Sequence, residues 1–432
     1  MANKDFSLKY GKGNVSFSIP EEQMLYELVG KNLTPPPDLV AAYRNALRHP
    51  IDSPPLAEIV KPGEKVVVTV SDITRGWQKN ADTLPLLIDE LNAGGVSDED
   101  ITVIIAVGAH RQNSPEEFVE LCSAEVCHRV KVMNNDAYDP TQHVYYGKTA
   151  RGTEVSLNKV VAEADRLVMT GGVIYHYMVG YGGGRKSVLP GVASLKTIQD
   201  SHMWAMNKEV GKGTNPICAN KMTIGNPAHE DMMDVAAFAK PDFIVNVVPN
   251  LDGDITGIFA GNWVSAWWEA TKMVDEIFGV PITEKADIVI ATAGGYPKDI
   301  NLYQTQKTID NAAYAMKDGG AAIILAECPD ISEPGEFFDW FDIEDQVEME
   351  KAVRGNYLIS GWVAVRQREY ANRGTIILLT RKENNTLATK AAVNPVNSIE
   401  AALKMAYESC GNPNPKVTVM PQGANTFPNF QG

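Results

Sequence analysis

The chain has 432 residues, of which 44% are apolar and 22% charged, with 54 acidic against 39 basic side chains and a formal net charge of −15. At about 150 residues per domain this predicts two or three globular domains, and the composition excludes disordered, collagenous and disulfide-scaffold classes. The acidic balance and the lack of any Lys/Arg run of useful length exclude nucleic acid as a partner.

Apolar runs all fall short of the roughly 18 residues a membrane span needs. The opening MANKDFSLKYGKG lacks the apolar core of a secretory signal. Neither a membrane nor an export route is expected, which points to the cytoplasm. Five cysteines, at 122, 127, 218, 328 and 410, form no C-x-x-C pair, so a thiolate-built zinc site is not expected. A metal would have to lean on the seven histidines.

In chain order, short β-rich runs are predicted over 65–71, 101–107, 129–133, 166–169 and 243–248, then over 286–291, 321–326 and 375–379. Amphipathic stretches alternate with them over 81–92, 115–122, 230–238, 263–278, 300–316 and 398–409. Near-continuous apolar strands separated by helices predict an α/β fold. Each of two domains would hold a mainly parallel sheet flanked by helices, with the active site in the cleft between them. Phe278-Gly279-Val280-Pro281 closes a long helix before a fresh series. The expected division is therefore 1–275, 282–415 and a Pro/Gly-punctuated tail, 416–432, that the pattern allows to return to the first domain.

Ligands of open α/β sheets bind beyond the carboxyl ends of strands. Three polar loops sit there: Ser71-Asp72-Ile73-Thr74-Arg75, Gly108-Ala109-His110-Arg111, and Ala293 to Asp299. The stretch 171–191 is richer, with His176, Gly182, Gly183, Gly184, Arg185 and Lys186 among closely spaced glycines that would let backbone approach an anion. It is no Walker A loop, since Lys186 follows Arg185 rather than Gly, and no G-x-G-x-x-G opens a helix after the first strand. His202 ends a predicted helix that starts at Ser194. His49, His128, His143 and His229 read as turn, strand-start or helix-start residues, which leaves His110, His176 and His202 for chemistry. Three such histidines allow a zinc site with an open water position, or a division of labour in which one holds metal and two exchange protons.

Together these residues resemble the nickel-dependent lactate racemase family, in which a nickel pincer nucleotide is attached to the protein. The matching stretches are Asp72 to Arg75, Gly108 to Arg111, His176 with Gly182 to Lys186, Leu189 to Ser194, Thr197 to His202, Gly225 to Asp231, Gly294 to Pro297, and Leu302 to Lys307. The resemblance implies that Lys186 carries the pyridinium-3-thioamide-5-thiocarboxylic acid mononucleotide and that His202 completes the nickel coordination. It implies that His110 and His176 alternate as base and acid. Asp72, Arg75, Gly183, Gly184 and Arg185 would hold the cofactor, while Arg75, Tyr303, Gln304 and Lys307 would hold a small 2-hydroxy acid. It further implies dependence on cofactor-synthesis proteins.

Elementary chemistry agrees with such roles. The Cα hydrogen of a 2-hydroxy acid is too weakly acidic to leave readily as a proton, so inversion is easier by hydride transfer to an electrophilic cofactor. Two imidazoles with pKa values near about 6.5 can serve both enantiomers. Asp299 is expected to cap the helix bearing Tyr303, Gln304 and Lys307. At Ser360-Gly361-Trp362-Val363, where many relatives are expected to carry His-Lys, Trp-Val offers an apolar wall to the substrate side group or a surface for the cofactor ring. A His-ligated zinc hydrolase and a non-catalytic carboxylate-binding protein are the competing readings.

Overall fold

The computed structural model describes residues 2–431. The chain divides into two α/β units with an interleaved boundary. One unit comprises Asn32–Ala205 and Ile217–Ile277; the other comprises Met1–Lys31, Met206–Pro216 and Phe278–Gly432.

The Asn32–Ala205 unit is built on a six-stranded sheet with Val66–Ser71 and Arg166–Gly172 at its centre. Outward from Val66–Ser71 lie Ile101–Ala106 and Lys131–Asn134, all parallel; on the other side Arg166–Gly172 pairs parallel with Phe243–Pro249. Ile255–Gly261 closes that edge antiparallel. Val66, Val67, Val68 and Val70 are all buried. A strand apolar on both faces must be covered on both, which is why the helices alternate with strands in the sequence. Tyr43, Leu84, Leu87, Ile88, Leu91 and Leu121, from helices, pack with Val68 and Val103 in one core.

The second unit holds an all-parallel six-stranded sheet in the order Asn394–Val396, Thr375–Leu379, Met316–Leu325, Ala286–Thr292, Val417–Met420, Met24–Glu27. An antiparallel hairpin, Asn3–Tyr10 with Gly13–Pro20, lays Phe6, Leu8, Phe17 and Ile19 on this sheet's core.

Two features of this unit correct the division expected from the sequence. The tail does not return to the first domain: Val417–Met420 lies between Ala286–Thr292 and Met24–Glu27, and Phe427–Phe430 pairs with Gly279–Ile282. All four residues from 417 to 420 are buried, and the strand sits inside the sheet with a hydrogen-bonded parallel neighbour on each edge. The first 31 residues likewise belong here, because Met24–Glu27 supplies one of those neighbours.

The excursion Met206–Pro216 is held by carboxylates of the same unit. Glu350, 1% exposed, accepts from Gly211 N at 3.0 Å and Gly213 N at 2.9 Å, and pairs with Arg354. Glu369 accepts from Thr214 N at 2.6 Å, and Arg354 donates to Asn207 O at 2.6 Å. Removing the Glu350 carboxylate would strand two amides and leave the Arg354 charge without its carboxylate partner. Glu350→Ala is expected to lower unfolding free energy by about 3 kcal/mol. Urea denaturation measures that loss, and faster amide exchange confined first to 206–216 would locate it.

Candidate active site

Val66–Ser71 and Ile101–Ala106 are adjacent and in register, Ser71 opposite Ala106, so the loops that follow emerge side by side. Asp72 caps the short turn Ile73–Gln78: its Oδ1 accepts from Thr74 N at 3.0 Å and from Thr74 Oγ1 at 2.5 Å. Its Oδ2 meets His110 Nδ1 at 2.5 Å. Asp72 is buried, whereas the His110 side chain is 54% exposed, so the pair presents an imidazole outward from a fixed carboxylate. Burial pushes the Asp72 carboxyl up, but hydrogen bonds from His110 and Thr74 and the nearby Arg75 charge outweigh it and hold the pKa below the usual value. The carboxylate expected to anchor cofactor or substrate is engaged by His110 and Thr74.

His176 stands on a two-pair hairpin in which Tyr175 faces Tyr181 and His176 faces Gly180. Its ring stacks on Tyr177 at 5.1 Å and 5°, Nδ1 accepts from Met178 N at 3.3 Å, and Nε2 lies 3.3 Å from Lys186 Nζ. Burial, then the charges of Lys186, Arg185, Arg75 and His202, drive the His176 pKa well below its ordinary value. A neutral imidazole that accepts at Nδ1 carries its proton at Nε2, and that proton needs an acceptor. Lys186 can accept only as a neutral amine. Burial, with help from Arg185 and Arg75, lowers its pKa to about 7, which makes that form available near neutral pH.

His202 ends the helix Leu195–His202, whose first turn is capped by Ser194. The ring is 8% exposed and its Nδ1 donates to Ile198 O at 2.7 Å, which leaves the lone pair on Nε2. Burial and the Lys186 charge outweigh that bond and take its pKa down to about 4. A neutral histidine held through Nδ1–H to a backbone carbonyl is the usual orientation of a metal ligand. Among the described residues no three His, Cys, Asp or Glu side chains converge as metal ligands. His110, His176 and His202 therefore do not form the three-histidine zinc arrangement that their number allows.

The glycine-rich segment differs from the expectation of an anion cradle. Arg185 is fully buried; its guanidinium donates to Val179 O at 2.7 Å and Tyr181 O at 2.8 Å and lies 4.4 Å from the Trp267 ring. A Cβ on Gly184 would come within 2.5 Å of Trp267 Cδ1, and one on Gly183 within 2.7 Å of Val173 Cγ2. Both glycines have positive φ, and Gly184 N donates to Asn246 Oδ1 at 3.1 Å. Packing and turn geometry thus account for Gly183, Gly184 and Arg185, whose contacts are made inside the protein. Arg185 reaches the site through its charge alone. His229, read from sequence as a helix-start residue, is buried against Trp267 with ring centroids 5.4 Å apart, and burial takes its pKa to about 2. Its place at the third position of an Asn226-capped helix gives no sign of this.

Arg75 is held near the cluster by its donation to Thr74 O and Thr74 Oγ1. Tyr303, Gln304 and Lys307 lie on Leu302–Ala315 in the other unit. Asn301, not Asp299, caps that helix, accepting from Gln304 N at 2.8 Å. Asp299 is instead buried, with Oδ2 accepting from Gly11 N and Glu327 N. Lys307 Nζ donates to Gln304 Oε1 at 3.0 Å, and Tyr303 sets its ring edge-on to Phe337. Trp362 is fully buried, with the Arg366 guanidinium 5.2 Å from its ring, so it forms no open apolar wall.

Two parallel-sheet units, with an Asp–His pair and a Lys–His pair at the strand ends of one of them, define an α/β protein equipped for proton exchange. Residues 10–213 match the lactate racemase N-terminal domain and residues 282–427 the lactate racemase C-terminal domain. The chain is 31% identical to a lactate racemase of Thermoanaerobacterium thermosaccharolyticum over 438 residues, covering 99% of each. It is also 31% identical to one of Lactiplantibacillus plantarum, covering 96% of this chain and 97% of that protein. The solved lactate racemase apoprotein of T. thermosaccharolyticum superposes with a TM-score of 0.88 at 30% identity, covering 98% of this chain and 99% of that one. A Thermotoga maritima protein at 16% identity, TM-score 0.65, covering 94% of this chain and 100% of its own, shares the fold. The chain belongs to the lactate racemase family, a family of isomerases.

Because the folded protein holds Lys186 at a pKa lowered to about 7, the unfolded chain binds one more proton than the folded one from about pH 7 up to the ordinary lysine range. In that window stability gains from this group as pH rises, and below it the full cost of the buried charge is present. Lys186→Met should therefore stabilise the fold most at or below neutral pH, with the advantage shrinking toward pH 10. Thermal melts of both proteins across pH 6 to 10 check the sign.

Proposed function

We propose that this protein is a racemase or epimerase of a 2-hydroxy acid, with lactate as the first candidate substrate, acting through a nickel pincer nucleotide joined to Lys186. The observation that carries the reading is the paired Lys186 and His176 beside the neutral, carbonyl-held His202. These side chains fit the group: a neutral amine is the form that can be acylated, and His202 offers Nε2 to the metal. When bound, the group supplies an electrophilic carbon that takes a hydride from the substrate and returns it.

The chain's own residues do the rest. In this reading His110 acts as base on the hydroxyl of one enantiomer and His176 as acid toward the 2-keto acid when it is reduced on its other face, and the two exchange roles in the reverse direction; Asp72 holds His110 Nδ1–H and stabilises its imidazolium. Conversion of Lys186 to a thioamide removes one of the charges that depress His176, which returns its pKa part of the way toward neutrality while burial remains. Arg75 supplies positive charge to the substrate carboxylate or to the cofactor. Tyr303, Gln304 and Lys307 hold the substrate in this reading, which for them rests on the family resemblance. Gly183, Gly184 and Arg185 serve the cofactor indirectly, by fixing the turn that presents Lys186. Cofactor-synthesis proteins would supply the nucleotide, and a cytoplasmic location goes with that supply. Among the described residues no helix is long and apolar enough to cross a membrane.

Intact-mass measurement after co-expression with nickel-nucleotide synthesis proteins should show a nucleotide-sized adduct, absent in Lys186→Ala, and chiral chromatography should show L-lactate and D-lactate interconverting. A loaded protein that racemises no member of a 2-hydroxy acid panel would overturn the reading. Asp72→Asn, which retains size but cannot hold His110 in the same tautomer, is expected to lower kcat by a factor on the order of 10³ or more with cofactor loading retained.

A further inference from the structure

Two residue pairs of antiparallel strand are too few to fix a side chain by themselves. Yet the Tyr175–His176/Gly180–Tyr181 hairpin must hold His176 to a fraction of an ångström if it is to exchange a proton with a bound substrate. What secures it lies on the helix Ser265–Phe278. Asp275 Oδ1 accepts from Tyr175 OH at 2.7 Å and from Tyr181 OH at 2.7 Å, so a single carboxylate oxygen ties both strands together. Asp275 Oδ2 lies 3.3 Å from Lys221 Nζ, and Lys221 N donates to Gly180 O at 3.0 Å. About two turns further back toward the start of the same helix, Trp267 Nε1 donates to Gly182 O at 2.8 Å and its ring meets Tyr181 edge-on. The helix thus grips the segment 175–182 at three points. Burial, then Asp275 itself, raises the pKa of both phenols, so both remain protonated donors.

We propose that Asp275, acting through Tyr175 and Tyr181, is the positioning residue that fixes His176 against Lys186. It does not touch the reacting atoms; its role rests on the racemase reading only in giving His176 a catalytic task. The groups that face His176 from neighbouring elements are Lys186 and Arg185 on the 184–187 turn, Arg75 on the 73–78 turn and His202 on the 195–202 helix. All are basic, so none offers His176 a carboxylate to orient it in the way Asp72 orients His110. Asp275 supplies that orientation at one remove, by holding the backbone on which His176 stands.

The test uses the full chain with ¹⁵N-labelled histidine. In the wild type the His176 ring should give the nitrogen shifts of one fixed tautomer, protonated at Nε2. In Asp275→Ala those shifts should move toward tautomer averaging, and the loaded variant should lose about tenfold to a hundredfold in kcat with KM changed far less. Asp275→Asn, which keeps an acceptor oxygen for the two phenols, should restore the ring signal and most of kcat. If Asp275→Ala fails to fold, the Tyr175→Phe/Tyr181→Phe double variant, which removes both donors and leaves the carboxylate in place, should give the same averaging and loss. An unchanged ring signal in a folded variant, or wild-type kcat after loading, overturns the proposal. If the loaded wild type does not racemise, the functional reading fails, and the ring signal alone still decides whether Asp275 fixes His176.

Discussion

The site depends on keeping a lysine amine out of water with, among the described residues, no carboxylate acting on it. Lys186 faces His176 Nε2, and its charged neighbours are Arg185 and Arg75, so burial and repulsion act in the same direction. A carboxylate in that position would have kept the ammonium charged and unreactive. The protein pays with stability for an amine that is neutral near pH 7 and paired with an imidazole. The surrounding structure follows from this constraint. Arg185 is tied to backbone carbonyls and to Trp267, where its charge needs no acidic partner in the site, and the two glycines before it admit the indole and the close backbone.

The two histidines proposed to exchange protons are held by different physical means. His110 is oriented directly, by a buried carboxylate whose own position is fixed by the turn it caps, and its ring reaches solvent. His176 is oriented by its stack on Tyr177, by the Met178 amide and by the hairpin beneath it. A carboxylate in contact with His176 would also lie close to Lys186 and would restore its charge. The indirect anchoring is thus the form compatible with a neutral amine. His202 follows a third scheme, a backbone carbonyl one helical turn back, which fixes the tautomer without adding charge.

Legibility in the sequence tracked how local each feature was. Val66–Ser71 and Ile101–Ala106 were readable because runs rich in β-branched residues with no charged break read as interior strands. Asp72 and His110 were visible as residues just past those strands, yet nothing in the spacing of 72 and 110 says that the two side chains meet; that follows from the 71 to 106 register. Met24–Glu27 and Val417–Met420 are four residues each and find their place only by pairing with one another and, for the latter, with Ala286–Thr292. The glycines and Arg185 were noticed for their density, which says nothing of what they pack against: they meet Trp267, Val173 and Asn246, residues between about 10 and 85 positions away in the chain.

By itself the sequence determined the α/β class, since buried parallel strands require apolar residues on both faces, and it drew attention to a short set of candidate side chains, since only seven histidines are present and His110 follows the end of a predicted strand while His176 lies in the glycine-rich stretch with Arg185 and Lys186. Their family pattern was legible because motif order survives even where spacing says nothing about distance. Only the tertiary structure decided protonation and partnership. Which carboxylate holds His110, why Lys186 loses its proton, which nitrogen of His202 carries its proton, and that Val417–Met420 joins the second six-stranded sheet all depend on burial and on contacts that chain spacing does not reveal, and burial is a property of the folded protein alone.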